Sequence, residues 1–171
     1  MKKVVFTGCA SAIPTPFTSG SVNYEVLKRF ILDQLNGSID AIVVCGTSGE
    51  AATMSIDEKL KVISFVLNLV NHKVPVIAGT GSNCTSDAIY LTKKAEEIGV
   101  DAVLSVTPFY NKTSQAGLIS HYSKIAHSTS LPIILYNVPS RTGLNIMPET
   151  CLELSKIDNI VNSGIDLINS S

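Results

Sequence analysis

Ala41-Ile42-Val43-Val44-Cys45-Gly46-Thr47-Ser48-Gly49-Glu50 is an apolar run that breaks abruptly into a polar, glycine-rich turn. Successive apolar residues without polar alternation describe a strand buried on both faces, as in parallel sheets. The same pattern recurs on either side. Apolar runs occupy Val4–Ile13 (broken by small residues), Val74–Ala78, Ala102–Val106 and Leu131–Val138, and another begins at Ile160-Val161. Neighbouring runs start roughly 30 residues apart, the size of one strand-helix-strand unit.

Helical patterns fill the intervals. Leu27, Phe30, Ile31 and Leu35 share one face, and so do Leu60, Ile63, Val66, Leu67 and Val70. The spacing repeats at Ile89, Leu91, Ala95 and Ile98, and again at Leu118, Tyr122 and Ile125. Ser55-Ile56-Asp57-Glu58 reads as a capping box. Pro148 suits a first helical position, and Gly37 and Gly99 stand where helices should stop. No Gly-x-Gly-x-x-Gly follows the first strand, so a doubly wound dinucleotide-binding sheet is disfavoured. The spacing predicts an α/β fold, an incomplete TIM-type (β/α)8 barrel. About five strand-helix units plus the start of strand six form one unit over 1–161, followed by a divergent tail over 162–171.

Composition narrows the function. Thirteen basic residues against 14 acidic give a net charge of −1 without charge blocks, so nucleic acid and membrane surfaces are poor partners. A mean hydropathy of +0.30 fits a buried parallel sheet. The four cysteines, Cys9, Cys45, Cys84 and Cys151, form no CxxC and read as reduced thiols. No signal peptide or membrane span is expected, which places the protein in the cytoplasm. Neither a metal nor an organic cofactor is expected.

In a barrel of this type, chemistry sits just after each strand. Here those positions hold Thr15-Pro16-Phe17, Gly46-Thr47-Ser48-Gly49-Glu50, Gly79-Thr80-Gly81-Ser82-Asn83, Thr107-Pro108-Phe109-Tyr110-Asn111 and Tyr136-Asn137-Val138-Pro139-Ser140-Arg141-Thr142-Gly143. The opposite ends look like ordinary turns. Glycines at 46, 49, 79 and 81 either let the backbone approach a small anion or simply make tight turns. Thr47, Tyr110 and Tyr136 share one rim, where a chain of hydroxyls relays protons without a metal. The alternative is that both tyrosines are amphipathic rim residues. Arg141, one of two arginines, has the planar fork for a substrate carboxylate, or else braces its loop through an ion pair.

Four of these segments (residues 46–50, 76–83, 106–112 and 135–143) resemble, in order and at matching spacing, the 4-hydroxy-tetrahydrodipicolinate synthase (dihydrodipicolinate synthase) family. The likeness runs from about Gly8 to Val161. It implies a TIM-barrel lyase that joins a lysine to pyruvate as a Schiff base and condenses the enamine with aspartate 4-semialdehyde, towards diaminopimelate and lysine. Carried over by position, Tyr136 is the proton donor, with Thr47 and Tyr110 as relay. Ser48 binds the pyruvate carboxylate, where the family often has Thr, and Arg141 holds the semialdehyde's carboxylate. A homo-oligomer is expected. Arg141 separates the synthase from sister enzymes such as N-acetylneuraminate lyase.

One departure matters. The family's Schiff-base lysine follows an Ile-Val pair, but after Ile160-Val161 the chain reads Asn162-Ser163-Gly164-Ile165-Asp166-Leu167. The lysine position falls on Gly164, or on Asp166 if two residues are inserted, and neither side chain forms an imine. Of the eleven lysines only Lys112 is expected near the rim. The chain therefore reads as inactive alone, or as a remnant that binds a small carboxylate. Two open sheet edges and an inner face exposed to water are expected, favouring aggregation or association with a second copy. The tail after Val161 reads as a frameshift or premature stop. Downstream DNA translated in all frames is then expected to contain a Lys-Glu continuation, and its absence sinks that reading.

Overall fold

Strand-helix alternation is realised in full in a computed structural model, which describes residues 4–161. The tail 162–171, with Gly164 and Asp166, lies outside the described residues. A short β1 (Ala10–Ala12) precedes a two-residue hairpin of β2 (Phe17–Thr18) and β3 (Ser21–Val22), and then α1 (Tyr24–Asn36). Strand β4 (Ala41–Val44), helix α2 (Ile56–Val70), β5 (Val76–Gly79) and α3 (Thr85–Ile98) follow. The chain continues through β6 (Ala102–Val106), α4 (Gln115–Ala126), β7 (Ile133–Tyr136), a single turn α5 (Pro139–Thr142), α6 (Pro148–Leu154) and β8 (Ile160–Val161).

The helix limits follow from local chemistry. Asn23 caps α1 by accepting from Val26 N–H at 3.0 Å. Ser55 and Glu58 close the capping box of α2, with Ser55 N–H donating to Glu58 Oε2 at 2.9 Å and Glu58 N–H to Ser55 Oγ at 3.3 Å. Ser114 caps α4 at Gly117 N–H, and Pro148 opens α6. Helix α3 stops at Gly99, whose φ of +99° suits glycine.

Six strands form one sheet in the order β1-β4-β5-β6-β7-β8, and every ladder in it is parallel. Each strand lies beside its successor, so there is no switch point of the doubly wound kind. Alternate residues explain the layers. Ile42, Val44, Val76, Ala78, Val103, Ile133 and Ile160 pack with α1–α4 and α6 in the large outer core, where Leu27, Ile31, Ile63, Val66, Leu118 and Tyr122 are fully buried. Ala41, Val43, Ile77, Ala102, Ile134 and Val161 point the other way into a second cluster that contains no helix residue. All helices therefore cover one face, and the fold is an arc of a β/α barrel.

Three expectations change. The first run, read as Val4–Ile13, contributes only β1. Gly8 takes φ +112°, and Cys9 N–H is drawn to Asp40 Oδ2 at 2.7 Å, which ends the ladder. The hairpin turning at Ser19-Gly20, with φ of +52° and +80°, was not anticipated from the apolar pattern, although Ser-Gly is a hairpin signal. The inner face, expected to be wet, is buried: Ala41, Ile77, Ala102, Ile134 and Val161 are 5% exposed or less. Curvature and small side chains (Ala10, Ala41, Ala102) bring this face together, and Val5 and Phe6 pack against it from the strands' N-terminal end. Strands β1 and β8 each pair on one side only among the described residues, as expected. No helix among them is long and apolar enough to cross a membrane.

Strand spacing imposes a steric test at β5. A Cβ on Gly79 would lie 2.0 Å from the Cys45 carbonyl oxygen, whereas one on Gly46 would meet only Val43 Cγ1 at 3.5 Å. Gly79→Ala is expected to destabilise the fold by at least about 2 kcal/mol, because the opposing atoms are backbone and cannot rotate away. Gly46→Ala is expected to be nearly neutral in the same urea melts. Equal melts for the two variants would refute the assignment.

Candidate active site

The rim is assembled from strand ends whose backbones bend sharply. After β4, Cys45 adopts φ +55° although it is not glycine, and the absence of a side chain on Gly79 gives its carbonyl room. That bend carries Gly46 and Thr47 over the mouth of the arc. Gly49 N–H donates to Gly46 O and Glu50 N–H to Thr47 O, each at 3.1 Å, so the segment coils tightly. Glu50, at φ +53°, then enters a short 3-10 turn over Ala51–Thr53. Left-handed non-glycine residues cost roughly 1 kcal/mol or more each, and such residues cluster at functional rims. The Cys45 thiol is buried beneath the turn, and burial pushes its pKa up to about 12 despite the nearby Lys59. It is a packing group rather than a nucleophile.

At the end of β5, glycine is required by the close approach of neighbouring strands. A Cβ on Gly81 would meet Val106 N at 2.4 Å, and Thr80 turns away from the mouth to accept a bond from Thr92 Oγ1 at 2.9 Å. For Gly79 and Gly81 the contacts add a third reason to anion approach and tight turns, namely close packing of adjacent strands. At the ends of β6 and β7, Thr107 N–H donates to the carbonyl of Tyr136 at 3.3 Å and ties the two rims.

The loop that carries Arg141 is clamped. Pro139 begins α5, and Gly143 ends it at φ +67° with its N–H on Pro139 O at 2.8 Å. Asn137, 5% exposed, donates through Nδ2 to Asn145 Oδ1 at 2.7 Å and accepts from Ile146 N–H at 3.1 Å. Gln115 on α4 donates to Asn145 O at 2.8 Å and accepts from Thr150 Oγ1 at 2.6 Å. These bonds fix both ends of the segment 138–147. Reading the sequence as strands and rim residues gave no role to Asn137 or Gln115, because each acts through partners distant along the chain.

A cavity of about 400 Å³ opens where β4, β5, β6 and β7 end. Thr47, Tyr136 and Arg141 all line it, over an apolar wall that includes Leu104, Val106 and Phe109. Two expected members are not brought in. Tyr110 is 92% exposed, held at φ +68°, and is not among the residues lining the cavity. Of the three hydroxyls expected to form a relay, only those of Thr47 and Tyr136 line the cavity within one chain. Ser48 sits exposed on the coiled turn beside Thr47 and does not line the cavity.

Glu50 was expected on the rim, but two further charged residues, Lys59 and Asp87, were missed. Glu50, Lys59 and Asp87 all line the cavity, Lys59 from the first turns of α2 and Asp87 from the first turn of α3. A signal for them existed: a helix that follows a barrel strand begins at the chemical rim, so its first turn belongs to the site. Lys59 is the lysine that reaches this cavity among the described residues, not Lys112, whose stem lies against Gly143 on another side of the rim. The cavity is therefore lined by four hydroxyl residues (Thr47, Ser82, Tyr136 and Thr142), two cations (Lys59 and Arg141) and two carboxylates (Glu50 and Asp87), around space for a small polar acid.

Known proteins share this sequence and fold. Residues 5–165 match the dihydrodipicolinate synthetase family. The chain is 55% identical over 161 residues to the 4-hydroxy-tetrahydrodipicolinate synthase of Acetivibrio thermocellus, covering 94% of this chain and 55% of that relative. It is 56% identical over 157 residues to the Caldicellulosiruptor saccharolyticus enzyme of the same name, covering 91% of this chain and 53% of the relative. The crystal structure of dihydrodipicolinate synthase from Thermotoga maritima superposes with a TM-score of 0.90 at 43% identity, over 92% of this chain and 54% of that one. The chain spans about half the length of the curated relatives it matches.

The clamp on the Arg141 loop has a measurable consequence. Asn137→Ala leaves the buried Ile146 N–H without a partner and frees Asn145. A stability loss of about 2 kcal/mol is expected from the unsatisfied group. Limited proteolysis should cut first within residues 138–147, and unchanged protection there would rule the clamp out.

Proposed function

The chain belongs to the dihydrodipicolinate synthetase family, and from that premise we propose that its cavity is the substrate half of a 4-hydroxy-tetrahydrodipicolinate synthase site. The observation that carries the reading is the joint presence of Thr47, Tyr136 and Arg141 around one 400 Å³ cavity. In this reading Tyr136 gives and takes protons at the carbonyl carbon, with Thr47 as the adjoining hydroxyl. Ser48, on the same turn, supplies a hydroxyl to the pyruvate carboxylate. Arg141 presents its fork to the carboxylate of aspartate 4-semialdehyde. Its place in the cavity favours the synthase over a sister aldolase.

The relay is proposed to need more than one chain. With Tyr110 turned to solvent, its hydroxyl reaches a substrate only if another surface covers the rim, which agrees with assembly into a homo-oligomer. A cytoplasmic setting is proposed on the same family basis.

Formation of an imine requires a lysine amine desolvated within the site. Residues 162–171 contain no lysine, and Lys59 reaches the cavity from the first turns of α2 rather than from the end of a strand. We therefore assign this chain, by itself, the binding of small carboxylic acids without the condensation.

Borohydride treatment in the presence of pyruvate, followed by mass spectrometry, tests the catalytic half, and the expected result is no mass gain on any lysine. Thermal melts test the binding half. Aspartate 4-semialdehyde should raise the melting temperature, and Arg141→Ala should weaken that binding at least about tenfold, equivalent to about 1.4 kcal/mol. A lysine adduct would overturn the silent reading, and the absence of ligand stabilisation would overturn the binding one.

A further inference from the structure

A second, smaller cavity of about 240 Å³ lies on the flank of the rim, between the start of α3, the segment after β6 and one face of α4. Its lining includes Asn83, Thr85, Lys112, Ser120, His121 and Lys124, and contains no carboxylate. Neither lysine forms an ion pair among the described residues, where the salt bridges are Lys94–Glu97 and Lys156–Glu153. Two cations sharing one small cleft without a counter-charge repel each other, and a bound anion removes that cost.

The walls are built rather than incidental. Thr85 Oγ1 and His121 Nδ1 lie 2.9 Å apart and join α3 to α4 across the cleft. Asn111 Nδ2 donates to Asn83 O at 3.3 Å and ties the loop after β6 to the start of α3. The Lys112 stem rests over Gly143, where a Cβ would be 2.8 Å from Lys112 Cε, so the amine is guided rather than free. His121 is 5% exposed, and its Nε2 has no hydrogen-bond partner among the described residues. Whichever of Thr85 Oγ1 and His121 Nδ1 donates across their contact, Nε2 is left as a buried ring nitrogen without a partner, and in the protonated ring it is a donor. The cleft also lies at the positive end of α3, a helix of 14 residues.

We propose that this cleft binds a phosphate-sized oxyanion, either free or as the terminal group of a small phosphate ester. Ammonium groups act as point charges towards phosphate from several directions, whereas a lone carboxylate is better matched by an arginine fork. The volume is below the roughly 300–1,000 Å³ of pockets that take drug-sized ligands, so one oxyanion group fits and a nucleotide does not. The assignment does not depend on the lyase reading, since it shares no residue with that reading's substrate groups.

Inorganic phosphate and glycerol 3-phosphate, titrated into the full chain and followed by phosphorus NMR, test it. Saturable binding at one site per chain in the low millimolar range or tighter is expected. Tighter binding of the ester assigns the terminal group of a larger metabolite, and equal binding assigns the free ion. Lys112→Met and Lys124→Met are each expected to weaken binding at least tenfold, while Lys124→Arg and Arg141→Ala leave it within twofold. Both lysines are exposed, and circular dichroism matching the parent certifies each variant's fold. The proposal is overturned if no saturable binding occurs, if both methionine variants bind as the parent does, or if Arg141→Ala alone abolishes binding.

Discussion

The carbonyl oxygen of Cys45 stands where a side chain on Gly79 would begin, and the backbone nitrogen of Val106 stands where one on Gly81 would begin. These two close approaches let β4, β5 and β6 converge at their C-terminal ends. Convergence has three results. It lets Cys45 bend into a left-handed conformation, it lifts Gly46 and Thr47 over the mouth, and it narrows the space between strand ends to a cavity. The glycines at 79 and 81 thus shape the site by letting the strands approach, and they also line its wall. Larger residues there would push the strands apart before altering any chemistry.

Burial on both faces makes the arc coherent without a second sheet. The outer face pairs each strand with a helix through Ile, Val and Leu, and the inner face is filled mainly by small and medium side chains. Curvature serves both demands, because a curled parallel sheet brings inner side chains towards one another while spreading the outer ones for helices. That is why strands flanked by few polar residues do not leave a wet inner surface here. The two open edges remain, as β1 and β8 have one neighbour each among the described residues.

Polar groups on the rim divide into those that hold the structure and those left for chemistry. Asn137, Thr80 and Thr142 are buried and fully engaged with other protein groups. Thr47, Tyr136 and Arg141 face the cavity, and Arg141 is carried on a loop fixed at both ends. The Lys112 and Lys124 cleft lies outside this set, with its own walls and its own charge. One rim therefore presents two differently built polar concavities. One has balanced charge and is mainly apolar; the other is cationic and more polar than apolar.

Periodicity and turn chemistry were enough to read the order of elements. Unbroken Val and Ile runs cannot be satisfied except between two layers, and the Ser55–Glu58 box and Gly99 act over three or four residues. The family was legible for the same reason, since its motifs are contiguous strand-end segments. Convergence was not legible. Tyr110 and Tyr136 follow neighbouring strands and looked equivalent, but a left-handed backbone at Tyr110 turns one to solvent while the other lines the cavity. Lys59 and Asp87 looked like ordinary helical charges until the sheet brought the first turns of α2 and α3 to one mouth. Sequence determined the elements, because their physics is local. Tertiary structure decided which side chains meet, because that depends on backbone bends and on clamps such as Gln115–Thr150 between residues far apart in the chain.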